Sequence, residues 1–240
     1  MQFKSEKKLL VTGASGNLGT AIRSLVRCAG IDRNDLDITD AKAVKTYFAH
    51  HRFDILIHCA AYTDVAEAEK DHASCYRINV AGTENLVRSF SGDKFVYIST
   101  DYVFDGQRGN YSEDDVPNPV NYYALTKLLG EIATRQYPNT LVIRTCFKPD
   151  GPWKYPKAFI DQFTSHDYVS ERAPDIVRAS LTQGLFGLIH IAGTRKSVYE
   201  LARKNSPQVG KMSLADVPVT LPRDTSLNSS RWNDLKKSIR

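Results

Sequence analysis

Lys8-Leu9-Leu10-Val11-Thr12-Gly13-Ala14-Ser15-Gly16-Asn17-Leu18-Gly19 is the stretch that decides the fold. Its first five residues read as a strand, the glycines as a turn, and Asn17 to Arg27 as a helix. A glycine-rich turn between strand and helix lets the backbone come close to a pyrophosphate. The helix behind it supplies free N–H donors and the positive end of its dipole. A plain glycine turn is the alternative reading, but a position directly after a clear strand and before a helix is what a dinucleotide-binding loop requires. Gly13, Ser15, Gly16, Asn17 and Leu18 are therefore expected at a cofactor.

Moving outward, Asp32 and Arg33 stand about twenty residues on, where an acidic side chain takes the adenosine ribose hydroxyls. Asp32 favours NAD, whereas Arg33 suits a 2′-phosphate, so the cofactor is NADP or NAD. Asp37 and Ile38 follow. Cys59-Ala60-Ala61-Tyr62-Thr63 closes the next strand, and the small residues Cys59, Ala60, Ala61 and Thr63 let a dinucleotide cross close to the sheet.

The same alternation continues along the chain. Asp54–Cys59, Lys94–Ser99 and Thr140–Arg144 read as strands, with Leu188–Ile191 as a late addition; helices are expected over Ala73–Phe90 and Tyr123–Tyr137. Continuous apolar strands separated by helices imply an α/β fold, a Rossmann-type doubly wound parallel sheet. After Arg144 the pattern weakens. The expected division is a dinucleotide-binding domain over residues 1–147 and a small, shortened substrate region over 148–240, intertwined with it.

Composition narrows the class. With 42% hydrophobic and 25% charged residues, the 240-residue chain reads as a globular protein with one substantial core. There is no long apolar run and no apolar leader, so no membrane association is expected. The four cysteines are widely spaced without metal-ligand spacing, which suggests reduced thiols, a cytoplasmic setting and no metal. From Arg195 to Arg240 ten Lys/Arg face four Asp/Glu, and this tail holds the net excess of +5. No nucleic-acid-binding pattern accompanies it, so a solvated basic face or attraction of an anionic small substrate is the expectation.

The chemistry lies further along. Tyr123 and Lys127 are four residues apart on a helical segment, so they share a face. A cation near a phenol lowers its pKa and equips it for proton transfer. Ser99-Thr100-Asp101-Tyr102-Val103-Phe104-Asp105-Gly106 leaves the carboxyl end of a strand, where open parallel sheets bind ligands. Thr100, Tyr123 and Lys127 thus form an ordered set suited to proton transfer coupled to hydride transfer.

Taken together, the glycine loop, Leu36 to Asp40, Cys59 to Thr63, Tyr76-Arg77-Ile78-Asn79, Ser99 to Gly106 and Asn121 to Glu131 resemble the extended short-chain dehydrogenases/reductases. Within them they resemble the dTDP-4-dehydrorhamnose reductase family over roughly residues 7 to 147, with a weaker echo in Asp224 to Ser230. The resemblance implies NAD(P)H-dependent reduction of a nucleotide-linked 4-keto-6-deoxy sugar. By it, Tyr123 protonates the keto oxygen, Lys127 holds the nicotinamide ribose, and Thr100 bonds the substrate oxygen with Ser99 as its substitute. Ser99, Tyr123 and Lys127 also belong to the cofactor set. Asn79 supports the neighbouring strand or caps a helix turn; Tyr102 and Phe104 line the sugar pocket or simply pack. Related dehydratases carry an Asp-Glu pair where this chain has Asp101-Tyr102, which favours plain reduction. The expected partner is a nucleotide sugar, with a homodimer allowed. The alternative is a non-catalytic NADP-binding regulatory subunit, like the methionine adenosyltransferase β subunit, favoured by the shortened region after Arg144. There Trp153 either supplies a pocket aromatic or anchors a loop.

Overall fold

The computed structural model describes residues 2–217 and 221–239. Six strands form one parallel sheet: β1 (Leu9–Thr12), β2 (Ala29–Ile31), β3 (Ile55–His58), β4 (Lys94–Thr100), β5 (Thr140–Thr145) and β6 (Gly187–Ile191). Their order is β6-β5-β4-β3-β1-β2, so the chain steps outward from β1 to β2 and then returns to build on the other side. That reversal opens a crevice between the carboxyl ends of β1 and β3, where Thr12 pairs with His58.

Alternate residues of each strand feed two cores. Leu9, Val11, Ile55, Ile57, Val96, Ile98, Leu141 and Ile143 point to one face, covered by helices α1 (Asn17–Leu25) and α5 (Val169–Leu181) and by Trp232. Leu10, Leu56, Phe95, Tyr97 and Val142 point to the other, covered by α2 (Ala41–His50) and α3 (Gly82–Ser89). Burial on both faces explains why these strands read as continuous apolar runs. The sixth strand and α5 come from beyond residue 147, so the second half of the chain completes the sheet. Pro174 and several charged residues inside α5 hide this helix from a sequence reading.

The helix expected over Ala73–Phe90 is not uniform. It runs as a short turn, His72–Tyr76, a π-helical stretch, Arg77–Ala81, and then α3. Asn79 lies inside the π stretch and is buried. Wider turns of this kind recur at functional sites. By contrast α4 (Tyr122–Thr134) is regular; Asn121 caps it by accepting the Ala124 N–H at 2.8 Å, which fixes Tyr123 in its first turn.

Beyond β5 the chain forms small paired strands. Phe147–Lys148 runs beside Asp167–Tyr168, and Lys157–Phe159 beside Gly210–Met212. The basic tail is largely ion-paired: Arg195 meets Asp224, Lys196 and Lys204 meet Asp167, Arg231 meets Asp114, and Lys236 meets Asp175. These contacts account for much of its positive charge within the fold.

Candidate active site

A cavity of about 670 Å³ lies over the carboxyl ends of β1, β3, β4 and β5. Every residue expected at the cofactor or in the chemistry lines it: Gly13 and Ser15 to Leu18 from the glycine loop, Asp32, Arg33, Asp37 and Ile38 beyond β2, Cys59, Ala60, Ala61 and Thr63 after β3, and Ser99, Thr100, Tyr123 and Lys127.

At the first end the wall is backbone. Gly13 adopts φ +66°, and a Cβ there would stand 2.8 Å from the Ala60 backbone; one on Gly19 would strike the Gly13 carbonyl. Gly16 precedes α1 without any side-chain cap, which leaves the first-turn N–H groups open beside the cavity. Such a cradle fits the pyrophosphate of a dinucleotide. Asp32 turns onto the loop, its carboxylate accepting the Ser15 N–H at 3.1 Å. Arg33 stays mostly in solvent, with its Nε 3.7 Å from Asp37. Asp37 is held below the usual carboxylate range, chiefly by hydrogen bonds from the Thr39 hydroxyl and N–H. Arg77, from the π stretch, lines the same region; the sequence offered it only as part of Tyr76-Arg77-Ile78-Asn79 and with no role at the cofactor.

Between the ends, Asn79 ties three pieces together. Its amide accepts from the Tyr62 N–H at 2.7 Å and donates to the Tyr62 carbonyl and, at 2.9 Å, to the Thr126 hydroxyl. It thus joins the loop after β3 to the residue next to Lys127, which is its supporting role rather than a helix cap. His58 sits under the crevice between the Thr12 and Thr83 hydroxyls, at 2.7 and 3.0 Å. Burial drives its imidazole down to about 3, so it is neutral.

At the reactive end Tyr123 is half-buried and Lys127 is buried, and both groups respond to that burial. Burial pushes the Tyr123 phenol well above its ordinary value, with the Thr100 hydroxyl opposing and the Asp101 charge adding to the rise. Burial pushes the Lys127 ammonium down to about 8, and its Nζ lies 4.1 Å from the centre of the Tyr97 ring. Spacing along a helix places the two groups on one face, but desolvation outweighs the through-space attraction that a sequence reading assumes.

Neighbouring hydroxyls divide their work. Thr100 donates to Asp101 and accepts the Tyr102 N–H, both at 3.2 Å, and borders the cavity. Ser99, on the opposite face of β4, donates to Glu131, which also takes a bidentate pair from Arg144 at 2.9 and 2.8 Å. That engagement makes Ser99 a poor substitute for Thr100. Tyr102 lines the cavity and meets Tyr123 edge-on, with ring centres 6.4 Å apart. Phe104 instead stacks on Tyr111, fully buried, so it packs rather than lining the pocket. Trp153 anchors a loop, bonding Ser206 and the Lys157 carbonyl.

The sequence reading missed Asp101, Cys146, Lys148 and His166, which also border this end. Asp101 is buried and its carboxyl is raised to about 6 by desolvation, against the Thr225 and Thr100 hydroxyls that bond it. Thr225 belongs to the Asp224–Ser230 segment, which packs along the loop after β4: Ser226 accepts the Tyr111 N–H and Asp224 donates its N–H to Gly106. Cys146 and His166 come from segments with no local pattern, so nothing short of the fold unites them.

Comparison with known proteins agrees with this geometry. The profile of the family described as RmlD substrate binding domain matches residues 7–167. A dTDP-4-dehydrorhamnose reductase of Mycobacterium tuberculosis is 32% identical over 273 aligned positions, which cover 97% of this chain and 88% of that protein. This chain belongs to the dTDP-4-dehydrorhamnose reductase family. The alignment is longer than the chain itself, so the relative carries internal residues that are missing here. The crystal structure of the Bacillus anthracis dTDP-4-dehydrorhamnose reductase in complex with NADP superposes with a TM-score of 0.84 at 26% identity, covering 96% of this chain and 93% of that one. The Xenopus tropicalis methionine adenosyltransferase 2 subunit beta is 38% identical, over 53% of this chain and 42% of its own length.

Proposed function

We propose that this protein reduces the 4-keto group of a nucleotide-linked 6-deoxy sugar with NADPH. The observation that carries this reading is the sharing of one cavity by the glycine cradle and by Thr100, Tyr123 and Lys127. Membership of the reductase family and the likeness to an NADP complex support it. NADPH supplies the hydride. The chain's own residues do the rest. The glycine loop and the open first turn of α1 bind the pyrophosphate, and Arg33 and Arg77 offer cations for a 2′-phosphate.

Tyr123 is the proton donor. Its phenol is neutral because burial opposes ionisation, so it holds a proton for the oxygen that gains negative charge as hydride reaches the carbon. The hydride forms the new C–H bond, the Tyr123 proton forms the O–H bond, and the phenolate is reprotonated from solvent. Thr100 orients the keto oxygen, and Lys127 holds the nicotinamide ribose. A single carboxylate, Asp101, follows Thr100, which supports reduction rather than elimination of water.

The test mixes purified protein with NADPH and a panel of dTDP- and other nucleotide-linked 4-keto sugars, and follows the loss of reduced-cofactor absorbance. Turnover with at least one sugar, abolished in Tyr123→Phe, is expected. Tight NADPH binding with no oxidation above the Tyr123→Phe level for any sugar would point instead to a regulatory subunit like the Xenopus relative.

A further inference from the structure

We propose that Asp101, Cys146 and His166 form a binding site for a zinc-class divalent cation at the reactive end of the cavity. The inference stands apart from the reductase reading and concerns binding alone. The three residues follow β4, follow β5 and precede the Asp167–Tyr168 strand, and all border the cavity. One carboxylate oxygen, the thiol sulfur and an imidazole nitrogen lie within 4.8 Å of one another. Zinc bonds of 2.0–2.3 Å to such donors give tetrahedral edges of roughly 3.3–3.8 Å. Side-chain rotations moving these atoms by about 1 Å close the set on an ion.

Each donor already has an outer partner. The Thr100 and Thr225 hydroxyls bond the two Asp101 oxygens at 3.2 and 2.9 Å, and the Ser165 hydroxyl stands 3.4 Å from the Cys146 sulfur. Thr164 engages His166 Nδ1, which leaves Nε2 to coordinate. Partners of this type orient metal ligands and fix the imidazole tautomer.

Charge favours the same reading. Carboxylate, thiolate and neutral imidazole carry two negative charges, and a dication makes the buried group neutral overall. Without an ion, burial keeps the Cys146 thiol protonated and the His166 imidazole neutral. Binding therefore releases the thiol proton to solvent. The Lys148 and Lys196 ammoniums nearby oppose a cation. Lys196 is itself paired with Asp167 at 2.7 Å, and the metal–thiolate bond offsets the remainder. Hard ions such as Mg²⁺ gain no such bond, so the site selects zinc-like metals. A tetrahedral ion on three protein donors keeps a fourth position for water or another ligand.

The test uses the full chain, reduced, stripped with chelator and titrated with Co²⁺ alone. One Co²⁺ per chain should bind, with a thiolate-to-cobalt band in the near ultraviolet and tetrahedral visible bands, both displaced by Zn²⁺. Cys59→Ser, at the other cavity thiol, should leave the spectrum intact. Cys146→Ser should abolish the near-ultraviolet band, and His166→Gln should weaken Co²⁺ binding at least tenfold. NADPH-binding fluorescence checks that the variants are folded; if Cys146→Ser is not, His166→Gln decides. No thiolate band in the wild type, or unchanged binding in His166→Gln, overturns the proposal.

Discussion

The two ends of the cavity are built by different means. The nucleotide end is mostly backbone, a glycine turn with a required positive φ at Gly13 and an uncapped helix start, all within one strand–turn–helix. The reactive end is made of side chains that arrive from β4, α4, the residues after β5, the loop before Asp167 and, through Thr225, the last segment of the chain. A backbone site survives changes in most surrounding side chains, because its donors are main-chain N–H groups. A convergent site depends on each contributor and on every segment that positions it.

The largest effect expected is at the backbone end. Gly13→Val forces a β-branched side chain into a left-handed conformation against Ala60, costing about 1–3 kcal/mol and closing the cradle. NADPH binding, read by fluorescence, should fall below detection; near-normal affinity would break the contrast between the two ends. At the other end, Tyr123→Phe should cost NADPH affinity far less than Gly13→Val does while lowering turnover by about 10²–10⁴-fold. A parallel loss of affinity would mean that the ends are not separable.

Buried histidines sharpen the comparison through pH, since His58 serves the first half and His190 lies on the last strand. Both imidazoles are depressed to about 3, chiefly by burial. A depressed base binds fewer protons folded than unfolded, so its contribution is full above about 6.5 and is lost as pH falls toward 3. Asp101 has the opposite sign: its carboxyl is raised to about 6, so its contribution is full below 3.8 and fades as pH rises through 6. The two histidines outweigh it. The unfolding free energy from urea titration should drop between neutral pH and about pH 4.5, by on the order of a few kcal/mol, and His58→Gln should flatten part of that slope. A flat profile in the wild type would contradict the buried, neutral assignment. The smallest effect belongs to Arg33, an exposed side chain. Arg33→Ala should weaken NADPH about tenfold and leave NADH unchanged, measured as paired Kd values; equal losses for both would remove the 2′-phosphate role.

This division also explains what the sequence disclosed. Strands such as Ile55–His58 were legible because burial on both faces makes them apolar throughout, and the glycine loop was legible because its function is encoded in consecutive residues. The Tyr123–Lys127 spacing was legible as well, but its electrostatics were not. The rise of one group and the fall of the other come chiefly from burial, for Lys127 against the Tyr97 ring, which no local pattern reports. Helix α5 was hidden by Pro174, and Cys146 and His166 by lying twenty residues apart in chain that lacks periodicity. Asp101 stood in plain view beside Thr100, yet it is buried and bonded by Thr225, far along the chain.

The central claim is that one cavity joins a backbone-bound cofactor to a side-chain proton donor. It is tested most directly with NADPH carrying deuterium at the transferable position of the nicotinamide and a dTDP-linked 4-keto-6-deoxy sugar. The account predicts one deuterium at C4 of the sugar product by mass spectrometry with the wild type, formed at least about 10²-fold more slowly with Tyr123→Phe. Full NADPH binding with an unlabelled, unreduced sugar in the wild type would contradict it.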